Sequence, residues 1–385
     1  MTRTVLDCGY VPLVDCAPLI IAKELGFAAE EGIELNLIAQ PSWSALRDML
    51  ALGHLDLAQM LSPMPVAMSL GLGGLAAKVD AMMVLSMNGT VFGVSKDLSS
   101  RLSDTQTMFA DASKVAKSLG AVANDTLRIG VPFHFSMHRL LLQYWLDQFD
   151  EGERPEVEII TVPPPRMADA LDAGEVDAFW VGEPWGSVAV ARGVGELVLP
   201  GAAIWRGAPE KVLAARHDWI EEQPDRVRAL MRAVHHAQRW LDKSDNKPLA
   251  VEILARSAHL DLATELIDPA IFGHITPALG AAPIAVEQFI LFHKSAASFP
   301  WRSQAAWIAG RLGADTGEIE TAKQCFRSDL YRDMLGPIGV DLPGASEKIE
   351  GSMRHATAVS STRGHMILGP DAFFDGKTFE NGQPK

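Results

Sequence analysis

Leu50-Ala-Leu-Gly-His-Leu-Asp-Leu-Ala58 and Leu171-Asp-Ala-Gly-Glu-Val-Asp-Ala-Phe179 are two copies of one pattern. Each reads as the end of an amphipathic helix, a glycine, one variable residue, an aliphatic, an aspartate and a short apolar strand. Gly53 and Gly174 suit the left-handed conformation that ends a helix, where a Cβ would clash. Upstream, Val5-Leu-Asp-Cys-Gly-Tyr-Val-Pro12 matches Leu127-Arg-Ile-Gly-Val-Pro132, a short apolar strand closing on glycine and proline. The separation is 121 residues both times, from Gly53 to Gly174 and from Gly9 to Gly130. One shared fragment could arise by chance, whereas two at one offset point to two α/β lobes of similar topology.

Working outward, each half reads as strand, helix, strand, helix, strand. The strands fall near Thr4–Gly9, Glu34–Ala39 and Asp56–Met60, then near Leu127–Val131, Val157–Val162 and Ala178–Val181. That alternation predicts mostly parallel sheets with right-handed crossovers. Ligands of such sheets bind at the carboxyl ends of strands, beside helix N-termini. The chain is expected to cross between lobes near residues 88–95 and again near 200–208. From Glu210 onward it reads as mostly helical. Gln223–Leu241 is a strong helix, with Pro224 in its first turn and apolar residues at Val227, Leu230, Met231, Val234 and Leu241.

Bulk properties narrow the function. At 385 residues, with 48% apolar and 21% charged residues, the chain suits two packed lobes and not a disordered polymer. Its formal charge of −14 argues against direct nucleic-acid binding, which needs a basic face. The same charge repels small anions at long range, so an anion site has to be built locally. Cys8, Cys16 and Cys325 fit neither a zinc module nor a disulfide framework. The N-terminus shows no charged stretch followed by a long apolar one, so no secretory leader is expected. Residues 60–77 carry no charge, but Pro63, Pro65, Gly71, Gly73 and Gly74 break the run as a membrane-spanning helix.

No nucleophile elbow, phosphate loop or zincin motif is present. His134 and His138 have metal-pair spacing, but Ser136 between them is a good N-cap, which leaves only His138 helical. His134 then sits on the loop after a strand and can donate to a ligand, the alternative being a hydrogen-bonded structural histidine. Trp43 follows Pro41-Ser42 where a strand ends and a helix begins. It can lay its face on a planar ligand, donate its indole N–H, or simply pack. Gln59 offers an amide to the cleft or to the core. Glu183, in Val181-Gly-Glu-Pro-Trp185, is awkward beside an anion and is expected to pair with a cation, hold a turn or join a network. Lys211 supplies a positive charge near the second crossing, although lysines are mostly solvated.

Taken together, these segments resemble the nitrate- and bicarbonate-binding family of ABC-transporter solute receptors. The pieces are Gly9-Tyr-Val-Pro-Leu-Val-Asp-Cys-Ala-Pro18, Pro41-Ser-Trp43 with Arg47-Asp48, Ser62-Pro-Met-Pro65, Val162-Pro-Pro-Pro165, Val181-Gly-Glu-Pro-Trp185 and Trp205 through Lys211. The resemblance implies an α/β, two-lobed periplasmic-binding-protein-like (type II) C-clamp with a hinge and additional C-terminal helices. Residues 1–92 and 208–385 would form one lobe and 93–207 the other. The family's tryptophan, histidine, polar residue and lysine map onto Trp43, His134, the segment holding Asn88 and Thr90, and Lys211. A bicarbonate receptor is expected to carry an acidic residue and calcium at the lysine position, so Lys211 implies nitrate or nitrite and no metal or other cofactor. With no leader expected, the resemblance is to the cytoplasmic sensor branch. A sensor of that kind holds an ANTAR-type RNA-binding antiterminator until the anion binds, and so controls nitrate-assimilation genes. The alternatives are a periplasmic receptor that has lost its leader, a receptor for sulfonates, and an enzyme such as a pyrimidine-precursor synthase on the same fold.

Overall fold

A computed structural model describes residues 3–74, 77–102, 109, 111–122, 126–149 and 154–380. Ten strands carry the architecture: β1 (Thr4–Tyr10), β2 (Ile33–Ala39), β3 (Leu57–Leu61), β4 (Val79–Asn88), β5 (Thr90–Ser95), β6 (Leu127–Val131), β7 (Val157–Thr161), β8 (Ala178–Gly182), β9 (Gly195–Pro200) and β10 (Pro209–Arg216). They form two sheets. The first runs β4-β10-β3-β1-β2, with Ile290–Leu291 paired outside β4, and the second runs β7-β6-β8-β5-β9. In each sheet the strand next to the third is donated by the other half and runs antiparallel, β10 in the first and β5 in the second. The sheets are therefore mixed, where the repeat alone predicts mostly parallel ones. Both sheets are enclosed by helices, giving the two-lobed type II arrangement.

The 121-residue repeat is a structural repeat. Gly53 and Gly174 both adopt positive φ, +80° and +67°. The aspartate that follows each glycine reaches back to the first strand of its own half. Asp56 accepts from the Asp7 backbone N–H at 2.9 Å, and Asp177 accepts from that of Arg128 at 2.9 Å. Each aspartate N–H in turn donates to the carbonyl of the same partner residue. The pattern is thus a reciprocal hook that pins the incoming strand in register, since a buried backbone group must find a partner. The glycines also match. A Cβ on Gly9 would strike Leu46 and Leu55, and one on Gly130 would strike Met167 and touch Val176, the same neighbours 121 residues on.

The first crossing is sharper than the sequence indicates. Asn88 and Gly89 both take positive φ, and the second sheet begins at Thr90, not at residue 93. The helix Pro224–Leu241 forms as expected and buries all five of its predicted apolar residues. It lies on the first sheet, where Gln238 Nε2 donates to the carbonyls of Val84 and Leu85. The C-terminal region, expected to belong to the first lobe, touches both halves. Phe373 stacks on Trp205 at the second crossing with ring centroids 4.8 Å apart. Beyond it, Asp375 accepts from the Tyr144 hydroxyl of the second half. Residues 63–69 form a short buried helix, and no described helix is long and apolar enough to cross a membrane.

Candidate functional site

The halves meet on the loop after β1. The Val14 N–H donates to the Glu183 carbonyl at 2.9 Å, and Trp185 Nε1 donates to the Pro12 carbonyl at 3.0 Å. Gly182, the last residue of β8, allows this approach, because a Cβ there would lie 2.8 Å from Leu13 Cδ2.

Behind this contact sits a fully buried charged cluster. Lys211 is 0% exposed, and its Nζ lies 2.7 Å from Asp15 Oδ2 and 2.7 Å from Glu210 Oε1. Neighbouring residues of a regular strand point to opposite faces. Glu210 and Lys211 meet because the β10 register against β4 shifts on both sides of Lys211, and such bulges re-aim side chains. Gln59, on β3, donates from Nε2 to Asp15 Oδ1 and accepts from the Val11 N–H. The Trp43 ring faces the ammonium with its centroid 5.2 Å from Nζ. Trp43 opens the helix Trp43–Ala51, whose N-cap is Ser42, its side chain accepting from the Ala45 N–H.

The second half contributes His138. Ser136 caps the helix Met137–Leu146 and so sets His138 in its first turn, where Nδ1 lies 3.5 Å from Glu210 Oε1. Both ring nitrogens of His138 and the indole Nε1 of Trp43 are buried without a hydrogen-bond partner. Buried polar atoms are seldom left so, and each orphan costs about 1–3 kcal/mol. Together they form a polar nest around one buried ammonium.

Electrostatics set the terms for that ligand. Burial drives the Asp15 carboxyl above its usual range against the opposing pull of Lys211. It lifts Glu210 to about 7. Burial and then the Lys211 charge push His138 well below the usual histidine value, so its ring is neutral and offers one N–H. With both carboxylates ionised the cluster carries one net negative charge, and with one protonated it is neutral.

Of the seven residues singled out by sequence, Trp43, Gln59 and Lys211 come together here. His134 does not. It is exposed, packed edge-on against Phe135 and bonded to Arg139, and the histidine at the cluster is His138, one turn later. Asn88 belongs to the hinge, its amide donating to the carbonyls of Arg206 and Gln288. Thr90 is also structural, accepting from Trp180 Nε1. Glu183 makes no ion pair among the described residues. Its Oε2 accepts from the Ser187 N–H, holding the turn into the helix Trp185–Ala191. Lys211 is the reverse of a solvated lysine. Asp15 and Glu210 were missed, although Asp15 left a signal as the sole charged residue between Cys8 and Ala22. The three cysteines are free and buried. No group of three described His, Cys, Asp or Glu residues is arranged to hold a metal.

Comparison with known proteins bears on the fold and the family. The NMT1-like family model matches residues 2–255. The chain is 32% identical over 352 residues to the nitrate import ATP-binding protein NrtC of Synechocystis sp., covering 88% of this chain and 51% of that protein. It therefore spans about half the length of that relative. It is 30% identical over 396 residues to the nitrate/nitrite binding protein NrtA of Nostoc sp., covering 98% of this chain and 83% of that one. The crystal structure of the periplasmic nitrate-binding protein NrtA from Synechocystis superposes with a TM-score of 0.82 at 26% identity, covering 98% and 96% of the two chains. These relatives carry nitrate-binding and nitrate-import names. The two-sheet topology, the doubled hook and these matches make the chain a member of the NMT1-like family, within the group that holds the NrtA receptors.

Proposed function

We propose that the chain is a clamp for nitrate or nitrite, with the anion held between Trp43, Lys211 and His138. The observation that carries the proposal is the set of orphaned buried nitrogens on Trp43 and His138 around the Lys211 ammonium. Nitrate is planar, singly charged and weakly hydrated. A few charge-assisted donors in a dry cleft suit it, and burial without a cation would not. The names of the relatives support the same ligand.

For its role, delivery to an ABC importer stands first, because the relatives carry import names. The sensor role uses the same linkage. An anion that favours the closed clamp expels any partner that binds the open one. The acidic charge of −14 suits a basic RNA-binding antiterminator as that partner, and the sensor would then act in the cytoplasm.

Titration calorimetry of dialysed protein with nitrate, nitrite, bicarbonate and a small sulfonate tests the ligand. Nitrate or nitrite should bind, Lys211→Glu should abolish binding, His138→Ala should weaken it, and His134→Ala should leave it unchanged. Binding of bicarbonate or sulfonate with silence for nitrate and nitrite would overturn the assignment. Capture of a purified antiterminator that nitrate reverses selects the sensor role, and nitrate-dependent stimulation of a reconstituted importer selects delivery.

A further inference from the structure

A second cavity lies far along the chain from the cleft, beneath the C-terminal hairpin Thr357–Ser361 and Gly364–Leu368. Its volume is about 530 Å³, within the range of sites that hold whole small organic molecules. His235 and Arg239, one turn apart on the helix Pro224–Leu241, form one wall, and His293 and Lys294 form another. The hairpin closes it with Arg363 and Met366, and Phe299, Tyr331 and Val340 supply apolar surface.

His235 is 1% exposed, yet its Nδ1 has no hydrogen-bond partner. Its ring meets that of His293 edge-on, with centroids 5.0 Å apart. Arg239 and Lys294 make no ion pair among the described residues, although the chain is strongly acidic overall. Two acids, Glu31 and Asp341, also line the cavity, and Asp242 lies 4.0 Å from His293 Nδ1. Asp341 accepts from Ser361, Thr362 and the Arg363 N–H, and Asp242 accepts from the Lys294 N–H. Burial, then neighbouring charges and rings, lower His235 to about 3, and burial, then Arg239, lowers His293 to about 4. Both rings are neutral at neutral pH. Crossed edge-on and unsupported by a third ligand, they are not a metal pair among the described residues.

We propose that this cavity is a second ligand site, for a small organic anion whose carboxylate or phosphate meets Arg239, Lys294 and the His235 ring while its carbon body packs on Phe299 and Tyr331. Three cations, Arg239, Lys294 and Arg363, line the cavity against two acids, Glu31 and Asp341, so its wall favours an anion. A nitrate ion would fill only a small part of the volume. The ligand therefore has a body as well as a charge.

The test is calorimetry on the full chain with nitrate already saturating, so that the cleft is silent. Glutarate, glucose 6-phosphate and inorganic phosphate are titrated in turn. Glutarate or glucose 6-phosphate should bind more tightly than inorganic phosphate, and which one binds separates carboxylate from phosphate recognition. The surface double variant Arg239→Gln/Lys294→Gln should fold normally and lose about tenfold or more in that affinity. Lys243→Gln should change nothing, and nitrate binding should be unaffected throughout. In the wild type, the histidine ring signals of His235 should shift as the organic anion is added. Three results overturn the site: no organic anion binds, inorganic phosphate binds as well as either, or the double variant binds unchanged.

Discussion

Lys211 Nζ and Asp15 Oδ2 meet at 2.7 Å across the width of one strand, with both side chains closed off from water. Lys211 belongs to β10, Asp15 follows β1, and β3 lies between them in the sheet. Gln59 on β3 completes the bridge through its hydrogen bond to Asp15. The cation that would receive an anion is thus already engaged, and a ligand has to compete with Asp15 and Glu210 for it.

Removing the cation should cost both fold and function. Lys211→Met leaves two buried carboxyls without their partner, and breaking a buried pair costs about 3–5 kcal/mol. Urea denaturation should show a loss of that size, and nitrate binding should vanish. The double variant Lys211→Met/Asp15→Leu should regain much of the stability, because apolar replacements tolerate burial, and none of the binding. Unchanged stability in the single variant would mean that the pair is solvated.

The anion affinity should depend on pH through Glu210. Its folded-state value is raised by burial to about 7, above the ordinary 4.5. A carboxyl raised on folding contributes stability that is complete below its unfolded value and is lost as pH rises through the folded one. The window is therefore about 4.5 to 7. In that window protonation of Glu210 also removes a negative charge beside Lys211, so nitrate should bind more tightly at pH 6 than at pH 8. Glu183 is raised to about 7 as well, but it touches no cation. Calorimetry across pH should show the dependence disappear in Glu210→Gln and persist in Glu183→Gln. Persistence in Glu210→Gln would place the titrating group elsewhere.

How much of this was legible follows from what each feature needs. β1, β3, β6 and β8 were readable because the glycine and aspartate of the hook are local requirements, repeated at one offset. β4 was not. All ten of its residues are buried, so it lacks the alternation that marks a half-exposed strand. β10 hides in the same way, being buried at every position but its last. Trp43 and Gln59 could be placed because each stands at or near the end of a recognisable strand. The burial of Lys211 could not be read, since its partner Asp15 is distant in sequence and Glu210 reaches it only through a bulge. His134 was preferred to His138 on its loop position. The Ser136 cap that was correctly read sets His138, on the first helical turn, toward the cluster.

Closure of the cleft should depend on the missing side chain of Gly182. In Gly182→Val the new Cβ would stand 2.8 Å from Leu13 Cδ2 and 3.6 Å from Asp15 Oδ2. Leu13, which is itself buried against Gly182, or the two halves would have to give way. Small-angle scattering should report a larger radius of gyration, and nitrate affinity should fall by about tenfold or more, the cost of an overpacked contact being roughly 1–3 kcal/mol. An unchanged radius with unchanged affinity would show that the halves do not close on this residue.

The two hooks make unequal predictions from one motif. Asp56 serves backbone alone, accepting from the Asp7 N–H. Asp177 serves the Arg128 N–H and also its guanidinium, through Nε at 3.1 Å and Nη2 at 2.7 Å. Asp56→Ala should therefore cost about 1–2 kcal/mol, the loss of one acceptor to a buried strand N–H. Asp177→Ala should cost more, although its partial exposure to solvent keeps the ionic share small. Asn restores an acceptor of the same length. It should recover nearly all of the loss at position 56 and only the backbone share at position 177. Denaturant melts of the four variants give the comparison. Equal recovery at both sites would show that the arginine contributes nothing, and that the backbone hook alone holds each first strand in register.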